Sequence, residues 1–168
     1  FGWVEDFSDP ADNDDVFTVT ATEVAHQWGG HQVAPSATRG ANQISETMAE
    51  YASLMVTRQK YGNAAMGKFL KYELDNYLRS RAGESKFEKI LLDNDSQSYV
   101  WYRKGGLIMY ALQDYIGEAN LNAGFAEMID SFGLKEEPLF ATTTDLYGFI
   151  KDRTPDSLQY FLKENFEE

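Results

Sequence analysis

The sequence predicts a mostly α helix bundle in a single domain spanning residues 1–168. Three observations carry that expectation. Apolar residues recur at three- and four-residue spacing along most of the chain. Glycine or proline stands at the ends of those runs. Strand-like patterning is confined to the first twenty residues. Hydrophobic residues make up 43% and aromatics 14% of 168 residues, enough to bury a real core.

The elements follow in order. Residues 1–15 hold six acids and no bases, and read as a solvated acidic lead-in. A calcium loop in "DPADNDD" is the sharper reading, but the stretch lacks the glycine and closing glutamate of an EF-hand. "VFTVTATEVAHQW" (16–28) starts strand-like and becomes helical around its histidine, and Gly29-Gly30 weakens or ends that helix. "NQISETMAEYASLMVTRQKYG" (42–62) is apolar on more than one face, as a buried helix closed by Gly62 would be. Residues 63–83 carry Met66, Leu70, Leu74 and Tyr77 on one stripe, with Arg79 and Arg81 at the C-terminal end. Residues 84–97 read as a polar loop. Residues 98–117 put Ile108, Ala111, Leu112, Tyr115 and Ile116 on one face and end at Gly117. Further helices are expected near 119–132, 143–152 and 155–166, the last with Thr154 as N-cap and Pro155 at its first position.

Composition excludes some partners. A net charge of −12 argues against nucleic acid and anionic membrane surfaces. With no cysteine there is neither a disulfide nor a thiolate metal site. No apolar run approaches the ~20 residues that span a bilayer, so the fragment is expected to be soluble. The abrupt start "FGWVEDF", without Met or signal peptide, reads as a piece cut from something longer.

The chemistry concentrates in "TATEVAHQWGGHQ" (20–32). Residues four apart share a helix face, so Thr22 and His26 point the same way, with Glu23 about 100° round from Thr22. A zinc-protease helix has histidines at both such positions and a glutamate general base between them. Here one of the two is threonine. Nineteen residues separate His26 from Glu46, with Glu50 four further on, inside an otherwise apolar segment. Carboxylates there are costly unless paired or ligating a metal. Pairing with Arg39 or Arg58, or simple solvation, is the plain alternative.

"TEVAHQWGGHQV" followed by "ISETMAEYASLMV" resembles the catalytic core of the membrane-alanyl-aminopeptidase family of zinc metallopeptidases. These are gluzincins with a thermolysin-like fold. The nearest pattern is the bacterial branch fused to ABC-transporter-type membrane segments, which runs much like "HEVAHQWWGHQV". The resemblance continues through "KFLKYELDNYLRSR" and "YRKGGLIMYALQDYIGE", covering most of residues 1–120. It implies the helical catalytic subdomain of a zincin fold, binding one zinc ion and hydrolysing peptide substrates from their N-terminus. Position by position, it implies that Glu23 is the general base and that His26 and Glu46 are zinc ligands. Glu50 would be the acid that orients the first histidine. Tyr102 would stabilise the oxyanion. Lys104 and Gly105 complete the last motif with packing roles. It also implies a parent associated with a membrane through transporter-type segments.

Two departures stand out. Thr22 replaces the first zinc histidine, and a neutral hydroxyl is a poor zinc ligand. Gly29 stands where the family has a bulky residue. Were the helix to continue, His31 would lie about 140° from His26, so it is expected to be a hydrogen-bonded, partly buried histidine rather than a substitute ligand. The family's upstream motif that binds a substrate's free amine is missing from the chain. The expectation is therefore a metallopeptidase domain with weak zinc binding and little activity. The competing class is a degenerate peptidase fold kept for binding or for attachment to a transporter.

Overall fold

A computed structural model describes residues 12–137 and 140–168, with the backbone alone for 12–15. The calcium reading of "DPADNDD" and the acidic lead-in lie outside those residues, apart from the backbone at 12–15.

α1 spans Asp12–Ala25 and is helical throughout, which corrects the strand-like start expected from residue 16. Tertiary contact outweighs the β-preference of its valines and threonines. The Ser53 hydroxyl donates to the Thr18 carbonyl at 2.8 Å, and Phe17 packs edge-on to Tyr61 with centroids 5.3 Å apart. The helix stops four residues before the Gly29-Gly30 pair. Tight turns take over, with the N–H groups of Gln27 and Trp28 donating to the Val24 and Ala25 carbonyls.

α2 covers Met48–Gly83 and is preceded by a wide π-helical turn, Gln43–Thr47. At Gly62 the backbone takes φ 83° and ψ −179°, so two helical arms meet there. That left-handed φ is open to glycine and costly for other residues. The junction falls at the expected place. The second arm's buried stripe does not: Met66 and Phe69 are buried, while Leu74 is 45% exposed.

α3 (Gly105–Ile116) follows another π-helical turn, Val100–Lys104, and ends at Gly117, whose φ is 88°. Ile108, Met109, Leu112 and Ile116 are buried, whereas Tyr115, placed on that face by the sequence, is exposed. α4 (Glu118–Phe132) packs on α5 (Thr143–Asp152). A capping box opens α5. The Thr142 hydroxyl accepts from the Asp145 N–H, and the Asp145 carboxylate accepts from the Thr142 N–H. The chain closes with the 3₁₀ turn Asp156–Leu158, α6 (Gln159–Leu162) and the turn Lys163–Glu167. Thr154 is no cap there. Its hydroxyl donates back to the Ile150 carbonyl, and Pro155 takes the N-cap place.

The main core joins Ile44 and Met48 to Met109, Leu112, Leu121, Met128, Ile150 and Phe166. Leu54, Met66 and Phe69 form a smaller cluster. Among the described residues extended pairing is limited to two isolated bridges, Gly29 with Val33 and Pro35 with Ala141.

Candidate active site

Thr22 and Glu23 sit in the last turn of α1, and His26 is the first residue past it. The His26 N–H still donates to the Thr22 carbonyl at 3.2 Å, so the one-turn spacing holds. The Thr22 hydroxyl turns back along its own helix and donates to the Thr18 carbonyl at 3.1 Å. Glu23 is exposed.

Glu46 reaches this turn from the π-helical segment before α2. Its Oε2 lies 3.5 Å from His26 Nε2, and the side chains are 22% and 17% exposed respectively. Two close approaches hold the segments together. A Cβ at Gly29 would stand 2.2 Å from the Ile44 carbonyl oxygen, so a larger residue would push the His26 turn off the Glu46 turn. A Cβ at Gly105 would stand 2.4 Å from the Thr47 hydroxyl, which itself donates to the Trp101 carbonyl at 2.6 Å. The "YRKG" segment is thereby pressed against Glu46, and the Tyr102 hydroxyl hydrogen-bonds to it. Burial, that hydrogen bond, and the charges on Glu46, Glu50 and Glu23 push the Tyr102 pKa up to about 12. The phenol stays protonated at neutral pH and remains a donor.

Glu50 lies one turn beyond Glu46 and faces a different space. Burial pushes its pKa up to about 7; the charge on Glu73 adds to the shift and Arg103 opposes it. Arg39 pairs with Asp93 and Arg58 with Glu118, so neither arginine considered from the sequence neutralises Glu46 or Glu50. A cavity of about 340 Å³ opens beside Thr22 and Glu50, lined also by Phe69, Tyr72, Glu73 and Arg103. Sequence reasoning missed the last two. Arg103 Nη1 donates to Glu73 Oε1 at 2.6 Å, and Glu73 is only 6% exposed. The available signal was Glu73 itself, four residues after Phe69 and seven after Met66 on a buried stripe.

His31 is exposed, not partly buried, and its Nδ1 lies 2.7 Å from the His26 carbonyl oxygen. A zinc site takes at least three protein ligands of the His, Cys or carboxylate type. His26 and Glu46 supply two, and the Thr22 hydroxyl is engaged with a backbone carbonyl. Among the described residues no group of three such side chains could hold a metal ion. The residues present therefore do not fit a three-ligand zinc site.

The model for the peptidase family M1 domain matches residues 4–164. The chain belongs to this family. Solved structures similar to this M1 domain include an M1 zinc metallopeptidase from Deinococcus radiodurans. It is 22% identical, with TM-score 0.66 over 90% of this chain and 32% of that one. A glutamate-to-alanine mutant from the same organism, bound to a Tyr-Ser-Ala substrate, gives 22% identity and TM-score 0.67 over 90% and 33%. A two-domain M1 zinc metallopeptidase mutant bound to L-tryptophan gives the same identity, TM-score and coverage. These likenesses show the fold. The M1 domain spans about a third of the length of these solved relatives. No curated protein matches it.

Proposed function

We propose that the domain is the helical part of a peptide-hydrolysing M1 site in which Thr22 impairs metal binding. The supporting observation is the meeting of His26, Glu46 and Tyr102 from three separate segments, with His26 Nε2 3.5 Å from Glu46 Oε2. Family membership and a relative solved with a Tyr-Ser-Ala substrate support a peptide as substrate. In this reading His26 and Glu46 are the two residues that would hold a zinc ion once a third ligand joined them. Glu23, exposed beside them, takes the proton of an attacking water. Tyr102 donates a hydrogen bond to the oxyanion that develops on the scissile carbonyl. Glu50 waits for an N–H that Thr22 does not supply.

One observation favours a second reading, a non-catalytic peptidase-fold module. The Thr22 hydroxyl is satisfied by the Thr18 carbonyl, so the arrangement is complete without a metal. Amino-acid release from Tyr-Ser-Ala in the presence of zinc separates the two, with the native chain assayed beside Thr22→His. Release by the variant alone supports the impaired enzyme. Equal release by both chains contradicts impairment. Release by neither leaves the module.

A further inference from the structure

We propose that Thr47 is a positioning residue for Tyr102: its hydroxyl, by taking the Trp101 carbonyl, holds open the wide turn that aims Tyr102 at Glu46. This deepens the peptidase reading, and its catalytic consequence rests on Tyr102 being the oxyanion donor. Its structural part stands without a metal or a substrate.

Both residues grouped with His26 are carried on π-helical turns, Glu46 on Gln43–Thr47 and Tyr102 on Val100–Lys104. Such turns are rare, so each calls for something that holds it open. In an α-helix the Gly105 N–H would donate to the carbonyl four residues back, that of Trp101. Here it donates to Val100, five residues back. The Trp101 carbonyl accepts instead from the Thr47 hydroxyl at 2.6 Å. Thr47 thus occupies the acceptor that an α-helical turn would use. Thr47 and Gln43 are both fully buried, with Gln43 Oε1 2.8 Å from the same hydroxyl.

The far side of the turn is anchored. Arg103 pairs with Glu73 at 2.6 Å and Lys104 with Glu88 at 2.5 Å. The Glu88 carboxylate also accepts from the Tyr77 hydroxyl at 2.9 Å. A change of register therefore falls on Trp101 and Tyr102 rather than on α3. Without the Thr47 hydroxyl the Trp101 carbonyl loses that donor, and the Gly105 N–H is the backbone group placed to replace it. The turn would then close by one residue, and Tyr102 would move round the helix axis, away from Glu46. Its hydroxyl now bonds Glu46, so the move withdraws the donor from the site.

The test reads that hydrogen bond directly. Scalar coupling across hydrogen bonds, measured by NMR on the metal-free chain, links the Gly105 nitrogen to the carbonyl carbon that accepts from it. The expected partner is Val100 in the native chain and in Thr47→Ser, which keeps the hydroxyl, and Trp101 in Thr47→Val. Thr47→Ala also lacks the hydroxyl and adds no bulk, so it gives the same result should Thr47→Val not fold. Stability is not the readout, since losing a buried hydrogen bond costs stability under any role. Activity gives a second, separate reading. In a Thr22→His background with zinc, Thr47→Val is expected to lower turnover of Tyr-Ser-Ala about tenfold with KM unchanged, and to cost nothing further once Tyr102→Phe is present. The proposal is overturned if Gly105 stays coupled to Val100 in the variants that lack the hydroxyl, or if turnover falls equally with and without the Tyr102 hydroxyl. An inactive Thr22→His chain would defeat the peptidase reading alone, and the coupling would still decide the role of Thr47.

Discussion

Across the gap between the end of α1 and the turn leading into α2, His26 Nε2 stands 3.5 Å from Glu46 Oε2. No hydrogen bond between their backbones enforces this distance. It is set by the fit of Gly29 against the Ile44 carbonyl on one side and of Gly105 against Thr47 on the other.

A side chain at Gly29 should therefore cost both stability and site geometry. Gly29→Ala places Cβ within 2.2 Å of a backbone oxygen, which no rotamer change relieves. We expect a loss of about 1–3 kcal/mol in urea unfolding, the usual range for overpacking a close contact. An unchanged urea midpoint would mean that the two turns are not held by this approach.

Glu50 makes stability depend on pH. Its folded pKa of about 7 lies above the ordinary 4.5, because burial disfavours the carboxylate. The folded chain then holds a proton that the unfolded chain releases between those values. Stability should fall as pH rises from 4.5 to 7 and level off above 7, with a total penalty of about 3 kcal/mol. Glu50→Gln removes the ionisation. We expect it to unfold at higher urea than the native chain at pH 8, and the difference to shrink at pH 5. A gap independent of pH would assign the effect to packing.

Much of this was legible in the sequence. The helix junction at Gly62, the stop at Gly117 and the bounds of 143–152 follow from local rules, because glycine and apolar spacing act within a few residues. Thr22, Glu23, His26 and Glu46 stand out by type and order, whereas Tyr102, one of ten tyrosines, was singled out only by the family resemblance. Helicity across residues 16–20 was not legible. It depends on Ser53 and Tyr61, more than thirty residues away, which outweigh β-branched propensity. The Arg103–Glu73 pair was hidden for the same reason, its partners lying thirty positions apart. Thr154 misled because a hydroxyl before proline suits a cap, while the preceding helix offered it the Ile150 carbonyl instead.

Breaking the Arg103–Glu73 pair from one side should be severe. Arg103→Met leaves the Glu73 carboxylate buried at 6% exposure without its cation. We expect a loss of about 3–5 kcal/mol at pH 8, and a smaller loss when Glu73→Gln is added. Calorimetric melting of the single and double variants checks this. Additive losses would show that the pair is not coupled.

Tyr102→Phe separates chemistry from packing. The ring remains and only the hydroxyl that bonds Glu46 is lost. In a Thr22→His background that hydrolyses peptide, we expect turnover to drop about 10²-fold, the scale of one oxyanion donor, with little change in melting temperature. Undiminished turnover would remove Tyr102 from the site.

The central claim is that the zinc site is complete except at position 22. The most direct measurement is zinc titration by calorimetry of the native chain beside Thr22→His, with metal content measured on both. Thr22 and Glu50 line one cavity of about 340 Å³, which has room for an imidazole. The account predicts one tightly held zinc per chain in the variant and at least a hundredfold weaker binding in the native chain, the loss expected when one of three ligands is absent. Equal affinity in the two chains, or no zinc in either, would contradict it.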